Sequence, residues 1–217
     1  MKKFLSFGFF SSCFFVGALF AQVPSSDPAL ALKKISEKVL TKITAEQKKG
    51  TKNLRERVGA IIKENIMPNV DTIYASKMVI ERVDWNNASE KDRQRFAAAF
   101  SNLIAQVYTA AFMGYKGEKV HFQLKNRKKS DYESGMTMVH STIVGKEGPT
   151  SLNYDLHFAG NEWLIYDFNI GGVSILSNFR GQFSALLNLI SKKNKDSQDS
   201  QNSKVLILAK EIEKKNG

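Results

Sequence analysis

The first half of the chain places apolar residues three and four positions apart, the spacing of amphipathic helices. Asp27 followed by Pro28 is a favoured helix opening, because aspartate accepts hydrogen bonds at an N-cap and proline suits the first turn. The spacing predicts helices from Asp27 towards Gly50, from Leu54 to Pro68, from Asn69 to Val79 and from Ser89 to Met113.

After Gly117 the apolar period changes from 3.6 to 2, the period of strands with one covered face. Strands are predicted over 120–124, 135–144, 152–158 and 162–170, with turn residues between them. Gly171 and Gly172 then lead into a further amphipathic helix through Ile190. Helices followed by a meander predict an α+β fold, with N-terminal helices packed on a curved, mainly antiparallel sheet of four to five strands.

The N-terminus has the composition of a secretory signal, with Lys2 and Lys3 before an apolar run from Phe4 to Phe20. The run contains serines and glycines and is short for a membrane span, so we predict a cleaved signal peptide over 1–21 and export to the periplasm. An uncleaved anchor and a lipoprotein modified at Cys13 are the alternatives. Cys13 is the only cysteine, so no disulfide or thiolate site is expected in the exported chain.

One α+β domain is predicted over 22–190, followed by a tail over 191–217. The tail begins with a polar, mobile segment over 191–203 and ends in a short helix from Val205 to Lys215. The chain carries a formal charge of +11, which for an exported protein favours anionic envelope surfaces over nucleic acid, although solubility explains it equally well.

Residues capable of catalysis are present but do not form a recognisable motif. His121 and His157 fall on the polar side of their strands and are predicted to be exposed, and no spacing indicates a metal or cofactor site. Ser174 lacks the following glycine of a nucleophile elbow and is better interpreted as a helix N-cap. Asp167 could act as a general base on a central strand, but a hydrogen-bonded structural role is favoured.

Four stretches resemble, in order, the MlaC family of periplasmic phospholipid carriers: "MPNVDTIYASKMV", "DWNNASEKDRQRFAAAFSNLIAQVYTAAFMGYKGEKV", "TSLNYDLHFAGNEWLIYDFNIGGVSILSNFRGQF" and "VLILAKEIEKK". The resemblance covers about Leu32 to Ile190, and its most distinctive part is "YDFNIGGVSILSNFRGQF", from Tyr166 to Phe183. It implies a carrier that is not an enzyme and that holds acyl chains in a cavity between sheet and helices. A shuttle that passes its cargo on can work as a monomer, so a monomer is expected. It also implies partners, namely an outer-membrane lipoprotein complex and the lipid-binding ring of an inner-membrane ABC transporter, and a role in maintaining outer-membrane lipid asymmetry.

Periodicity within these stretches predicts which side chains contact the lipid. The apolar candidates are Phe100, Leu103, Val107, Phe122, Leu124, Leu152, Tyr154, Leu156, Phe168, Val173, Phe179 and Phe183. Arg180 is the candidate for the lipid phosphate at the rim, with Lys116 and Lys119 as weaker ones. Two other functions stay open from the residues alone: a small enzyme with Asp167 as its base, and an envelope scaffold that binds no lipid.

Overall fold

The structure is a computed structural model, which describes residues 27–124, 134–193 and 203–216. Within these residues the chain forms seven α-helices and five strands. The helices are α1 Pro28–Lys48, α2 Leu54–Asn65, α3 Thr72–Val79, α4 Arg82–Asn87, α5 Glu90–Met113, α6 Ile175–Lys193 and α7 Lys204–Asn216, with a short 3₁₀ helix at Met67–Asn69. The strands are β1 Lys119–Phe122, β2 Met136–Gly145, β3 Gly148–Ala159, β4 Glu162–Ile170 and β5 Val173–Ser174. The predicted signal peptide over 1–21 and most of the polar segment over 191–203 lie outside the described residues.

The strands form one antiparallel sheet in the order β1-β2-β3-β4-β5, which does not close into a barrel. This confirms the predicted α+β class and the upper figure of four to five strands. A bulge interrupts the pairing of β3 with β4 between Asp155 and Leu156. Gly171 and Gly172 join β4 to β5 with φ angles of 58° and 88°. Residues that carry a Cβ rarely adopt this left-handed backbone conformation.

Side-chain caps fix the starts of three helices where the sequence predicts them. Asp27 accepts a hydrogen bond from the backbone N–H of Ala29 at 2.8 Å, and Asp71 accepts one from Tyr74 at 2.8 Å. Ser89 caps α5 by accepting the N–H of Asp92 at 3.1 Å. Each cap satisfies an N–H that has no partner within its helix, which is why these residues define where the helices begin.

The spacing of apolar residues does not predict helix α4, because contacts with α5 stabilise it. Trp85 is buried in it, and the Arg93 guanidinium lies over the Trp85 ring at 5.7 Å from its centroid. The Arg93 Nε also donates to the carbonyl of Trp85 at 2.9 Å. A six-residue helix with one apolar anchor has too little periodicity to be recognised along the chain.

The core lies between α5, the helices around it and one face of the sheet. Phe96 and Phe100 on α5 are fully buried, and Val205 and Leu208 on α7 are buried against the same helix. Arg95 of α5 donates two hydrogen bonds to the Glu213 carboxylate of α7, at 2.9 and 2.7 Å. By length and composition α5 could cross a membrane, but here its apolar stripe is the centre of the core.

Candidate functional site: an apolar cavity

A cavity of about 380 Å³ opens between α1, the C-terminal half of α5 and the inner face of the sheet. Its lining is mostly aliphatic and aromatic and consists of Leu32, Ile35, Ser36, Val39, Leu40, Ile66, Tyr108, Ala111, Phe112, Gly114, Tyr115, Glu118, Val120, Ile143, Leu152, Tyr154, Ile165, Phe168 and Ile170. We call the exposed members of this lining, Ala111, Gly114 and Ile170, the mouth of the cavity. An apolar cleft of this size is suited to a hydrocarbon ligand.

Strand alternation creates the sheet side of the cavity. Tyr154 on β3 and Phe168 on β4 are register partners, so both point to the inner face, and their rings lie 5.2 Å apart. Tyr108 of α5 meets the Phe168 ring at 4.9 Å, and Phe122 of β1 stacks on Tyr154 at 5.8 Å. These edge and stacked contacts hold the wall rigid without placing a charge in it.

The two tyrosines of the wall stay neutral. Burial raises the pKa of the Tyr154 hydroxyl well above its usual value and also raises that of Tyr108. A nearby Asp167 charge adds to the increase in the pKa of Tyr108, after burial and the charge of Tyr154. Neither hydroxyl is therefore available as an anion at physiological pH, and the wall behaves as an apolar surface.

The predicted lipid contacts divide between the cavity and the core. Leu152, Tyr154 and Phe168 line the cavity. Phe122 is half-buried and reaches it through the Tyr154 ring. Four others are buried in the core outside the cavity lining, namely Phe100, Leu156, Phe179 and Phe183.

The remaining predicted contacts lie nearer the surface and outside the lining. Leu103 is half-buried against the core, whereas Val107, Leu124 and Val173 are 37%, 53% and 58% exposed. Arg180 donates from its guanidinium to the carbonyl oxygen of Met78, with Nε at 3.0 Å. This bond joins α6 to the end of α3, away from the cavity lining.

Much of the cavity wall comes from residues that are not among the predicted lipid contacts. Helix α1 contributes five of them, Leu32, Ile35, Ser36, Val39 and Leu40. Val120 and Ile143 share the inner-face alternation that selects Phe122 and Leu152, so the same signal could have identified them. The apolar spacing of α1 does not show which of its residues line the cavity, because the same face of the helix also packs into the core.

Asp167 has a structural role at the start of α6. Its Oδ1 accepts the backbone N–H groups of Phe168 at 2.7 Å and Leu176 at 3.0 Å, and its Oδ2 accepts the Ser174 hydroxyl at 2.5 Å. The Ser174 oxygen in turn accepts the N–H of Ser177 at 3.0 Å, which confirms Ser174 as a helix cap. A carboxylate engaged by three donors is poorly placed to take a proton from a substrate.

The register partner of Asp167 is a second carboxylate, Asp155, on the outer face of the sheet. Burial raises the pKa of Asp155, and the Asp167 charge raises it further, while His140 opposes the change. The pair faces away from the cavity, since Tyr154 and Phe168 beside them point inward. Neither carboxylate belongs to the cavity lining.

We expect Asp167→Ala to lower the free energy of unfolding by about 2–4 kcal/mol, because it leaves two buried N–H groups and one hydroxyl without their acceptor. Chemical denaturation followed by circular dichroism measures this loss. Asp167→Asn keeps one acceptor oxygen and should lose markedly less. A loss below about 0.5 kcal/mol for Asp167→Ala, the range of ordinary surface changes, would contradict the capping role.

The histidines do not assemble a site. His121 is exposed as predicted, but the prediction for His157 is wrong: its side chain is 12% exposed. The start of α3 covers that end of β3, so that Tyr74 stacks on the His157 ring at 4.2 Å and Asp71 lies 3.0 Å from its Nε2. In residues 27–124, 134–193 and 203–216, no group of three histidine, cysteine or acidic side chains could hold a metal.

Comparison with known proteins agrees with the geometry. The family model described as MlaC protein matches residues 33–197. The intermembrane phospholipid transport system binding protein MlaC of Haemophilus influenzae is 25% identical over 170 residues, which cover 76% of this chain and 77% of that protein. The solved structure of the phospholipid-binding protein from Ralstonia solanacearum, in complex with a phospholipid, matches with a TM-score of 0.70 and 21% identity. That match covers 88% of this chain and 97% of the other, and it shows that the two share a fold.

Proposed function

The chain belongs to the MlaC family, and from that membership and the cavity we propose that it is a phospholipid carrier without catalytic activity. The observation that carries the proposal is an apolar cavity of about 380 Å³ that is open at its mouth. The relative in Haemophilus influenzae is a phospholipid transport binding protein by name, and the Ralstonia solanacearum protein shares the fold and holds a phospholipid. We propose that the cavity lining contacts the acyl chains, with Leu152, Tyr154 and Phe168 among the contacts.

The energetics of an acyl chain explain why such a protein needs partners. Each buried methylene is worth about 0.8 kcal/mol, so a bound phospholipid does not leave for water on a useful timescale. Release requires a partner that offers an equally apolar path. We therefore propose that the carrier works in the periplasm between an outer-membrane lipoprotein complex and the lipid-binding ring of an inner-membrane ABC transporter, and that this traffic maintains outer-membrane lipid asymmetry.

The enzyme alternative loses its main candidate base, because Asp167 caps α6, and neither Asp167 nor its neighbour Asp155 lines the cavity. The scaffold alternative gives no reason for an apolar cavity that a filled core would close at a gain in stability. Carriage accounts for the cavity directly.

Native mass spectrometry of the protein purified from cells tests the proposal. We expect close to one phospholipid per chain, and transfer of labelled lipid into the protein from vesicles once the bound lipid has been removed. A protein that stays free of lipid in both experiments, while circular dichroism shows it folded, would contradict carriage and favour a scaffold.

A further inference from the structure

The lining of the cavity includes a carboxylate, that of Glu118. It directly precedes β1, in phase with Val120 and Phe122, so strand alternation directs it to the inner face of the sheet. Gly145 provides the space for it: a Cβ on Gly145 would lie 3.1 Å from Cγ of Glu118. The sequence thus places a carboxylate at the end of the cavity wall, in the same loop as Gly114 of the mouth.

The Glu118 carboxylate is ionised and forms no direct ion pair among the described residues, although the charge of Lys116 also acts on it. Its Oε2 accepts the backbone N–H of Lys116 at 2.7 Å. Backbone N–H groups, that of Lys116 first, lower the pKa of Glu118, which keeps the negative charge at neutral pH. By contrast, Glu46 in α1 forms ion pairs with Lys49 and Arg57.

The charges around Glu118 are positive. Lys116 and Lys119 flank it and are exposed. The amide of Gln47 donates to the carbonyl of Tyr115 at 3.0 Å, which brings the last turn of α1 and its Lys48 to the same loop. Strand alternation turns Lys119 to the opposite face, so this end of the cavity offers the cations of Lys116 and Lys48 for a phosphate and one fixed anion on the inner face.

We propose that Glu118 makes the carrier prefer phospholipids whose headgroup carries an ammonium, such as phosphatidylethanolamine, over those with a neutral polyol, such as phosphatidylglycerol. The proposal rests on the carrier function above. All glycerophospholipids bring a phosphate that the lysines can bind, so the phosphate does not distinguish them. The ammonium does distinguish them, because it is attracted to the Glu118 carboxylate. A phospholipid with a phosphate but no ammonium is only repelled by this carboxylate.

The test compares the lipids that the delipidated full chain takes from vesicles containing equal amounts of phosphatidylethanolamine and phosphatidylglycerol. Bound lipids are extracted and quantified by mass spectrometry. Relative to the wild type, Glu118→Gln should shift the bound ratio about three- to fivefold towards phosphatidylglycerol, the range of a solvent-accessible ion pair. The amide keeps the size of the side chain and the acceptor for the Lys116 N–H, so the loop is preserved.

Glu147→Gln is the matched control, because Glu147 is exposed in the β2–β3 turn and outside the cavity lining, yet changes the net charge equally. Its bound ratio should equal that of the wild type. Total lipid per chain should stay near one in all three proteins. An unchanged ratio in Glu118→Gln, or an equal shift in Glu147→Gln, overturns the headgroup inference alone, whereas absence of bound lipid from the wild type overturns the carrier function itself.

Discussion

Replacing Ala111 by tryptophan should reduce the phospholipid bound per chain at least about tenfold. Ala111 lies in α5 at the mouth, where its side chain is exposed and lines the cavity. A tryptophan there projects into space that acyl chains must enter, whereas the buried core on the opposite side of α5 is untouched. Because occupancy starts near one lipid per chain, a tenfold fall requires the affinity to drop more than tenfold, that is by more than about 1.4 kcal/mol or roughly two buried methylenes.

Native mass spectrometry of the purified variant measures this occupancy, with thermal unfolding as a check on the fold. Ala110→Trp is the matched control, since Ala110 is the adjacent exposed alanine of the same helix and does not line the cavity. It should retain lipid close to one per chain. Equal occupancy in the two variants would mean that lipid does not enter between α1 and α5.

Phe100→Ala should lower the free energy of unfolding by about 3–5 kcal/mol while the folded fraction still binds lipid. Phe100 is fully buried at the centre of an aromatic cluster, with ring centroids of Phe96, Phe179 and Phe183 at 5.6, 5.2 and 5.7 Å. Truncation removes these contacts and leaves a void that the helices cannot fill. The cluster lies outside the cavity lining, which is why occupancy should be preserved.

Denaturant titration gives the loss in stability, and lipid per chain is measured under native conditions. Val107→Ala, seven residues further along α5 and 37% exposed, should cost less than about 1 kcal/mol. Phe100→Leu provides a milder core change if the alanine variant is poorly folded. Loss of lipid from a Phe100 variant that is as stable as the wild type would place Phe100 at the ligand and contradict its assignment to the core.

The fold was predictable because its signals are local. Strand alternation around Tyr154 and the caps at Asp27 and Ser89 depend on residues close in sequence, and the structure confirms each of them. The burial of His157 was not predictable, since it depends on Asp71 and Tyr74, more than eighty residues away in the chain.

The cavity was only partly predictable, for a different reason. Leu152 and Leu156 share one face of β3, yet the first lines the cavity and the second is core. Phe100 and Tyr108 likewise share the buried stripe of α5, and only Tyr108 reaches the cavity. Periodicity predicts which face of a helix or strand is buried. It does not predict whether that face packs against other side chains or lines a cavity, because this depends on the distance between α1 and the sheet.

The N-terminal half of α1 is held in a way that bears on how much cargo the protein can accept. Each methylene of a longer acyl chain needs roughly 30 Å³ more room, about the volume of a water molecule in the liquid, so the walls must adjust to cargo of different lengths. The C-terminal half of α1 is tied down by Lys42, which donates to Asn65, and by Gln47, which donates to Tyr115.

From Pro28 to Leu40, by contrast, no side chain of α1 forms a hydrogen bond to another described element, and Leu32, Ile35 and Val39 hold it by apolar contact alone. An outward shift of this half therefore breaks no side-chain hydrogen bond to another described element, and the apolar surface it uncovers is covered again by the entering chains. We expect the capacity of the carrier to adjust to the length of its cargo through small outward shifts of this half of α1.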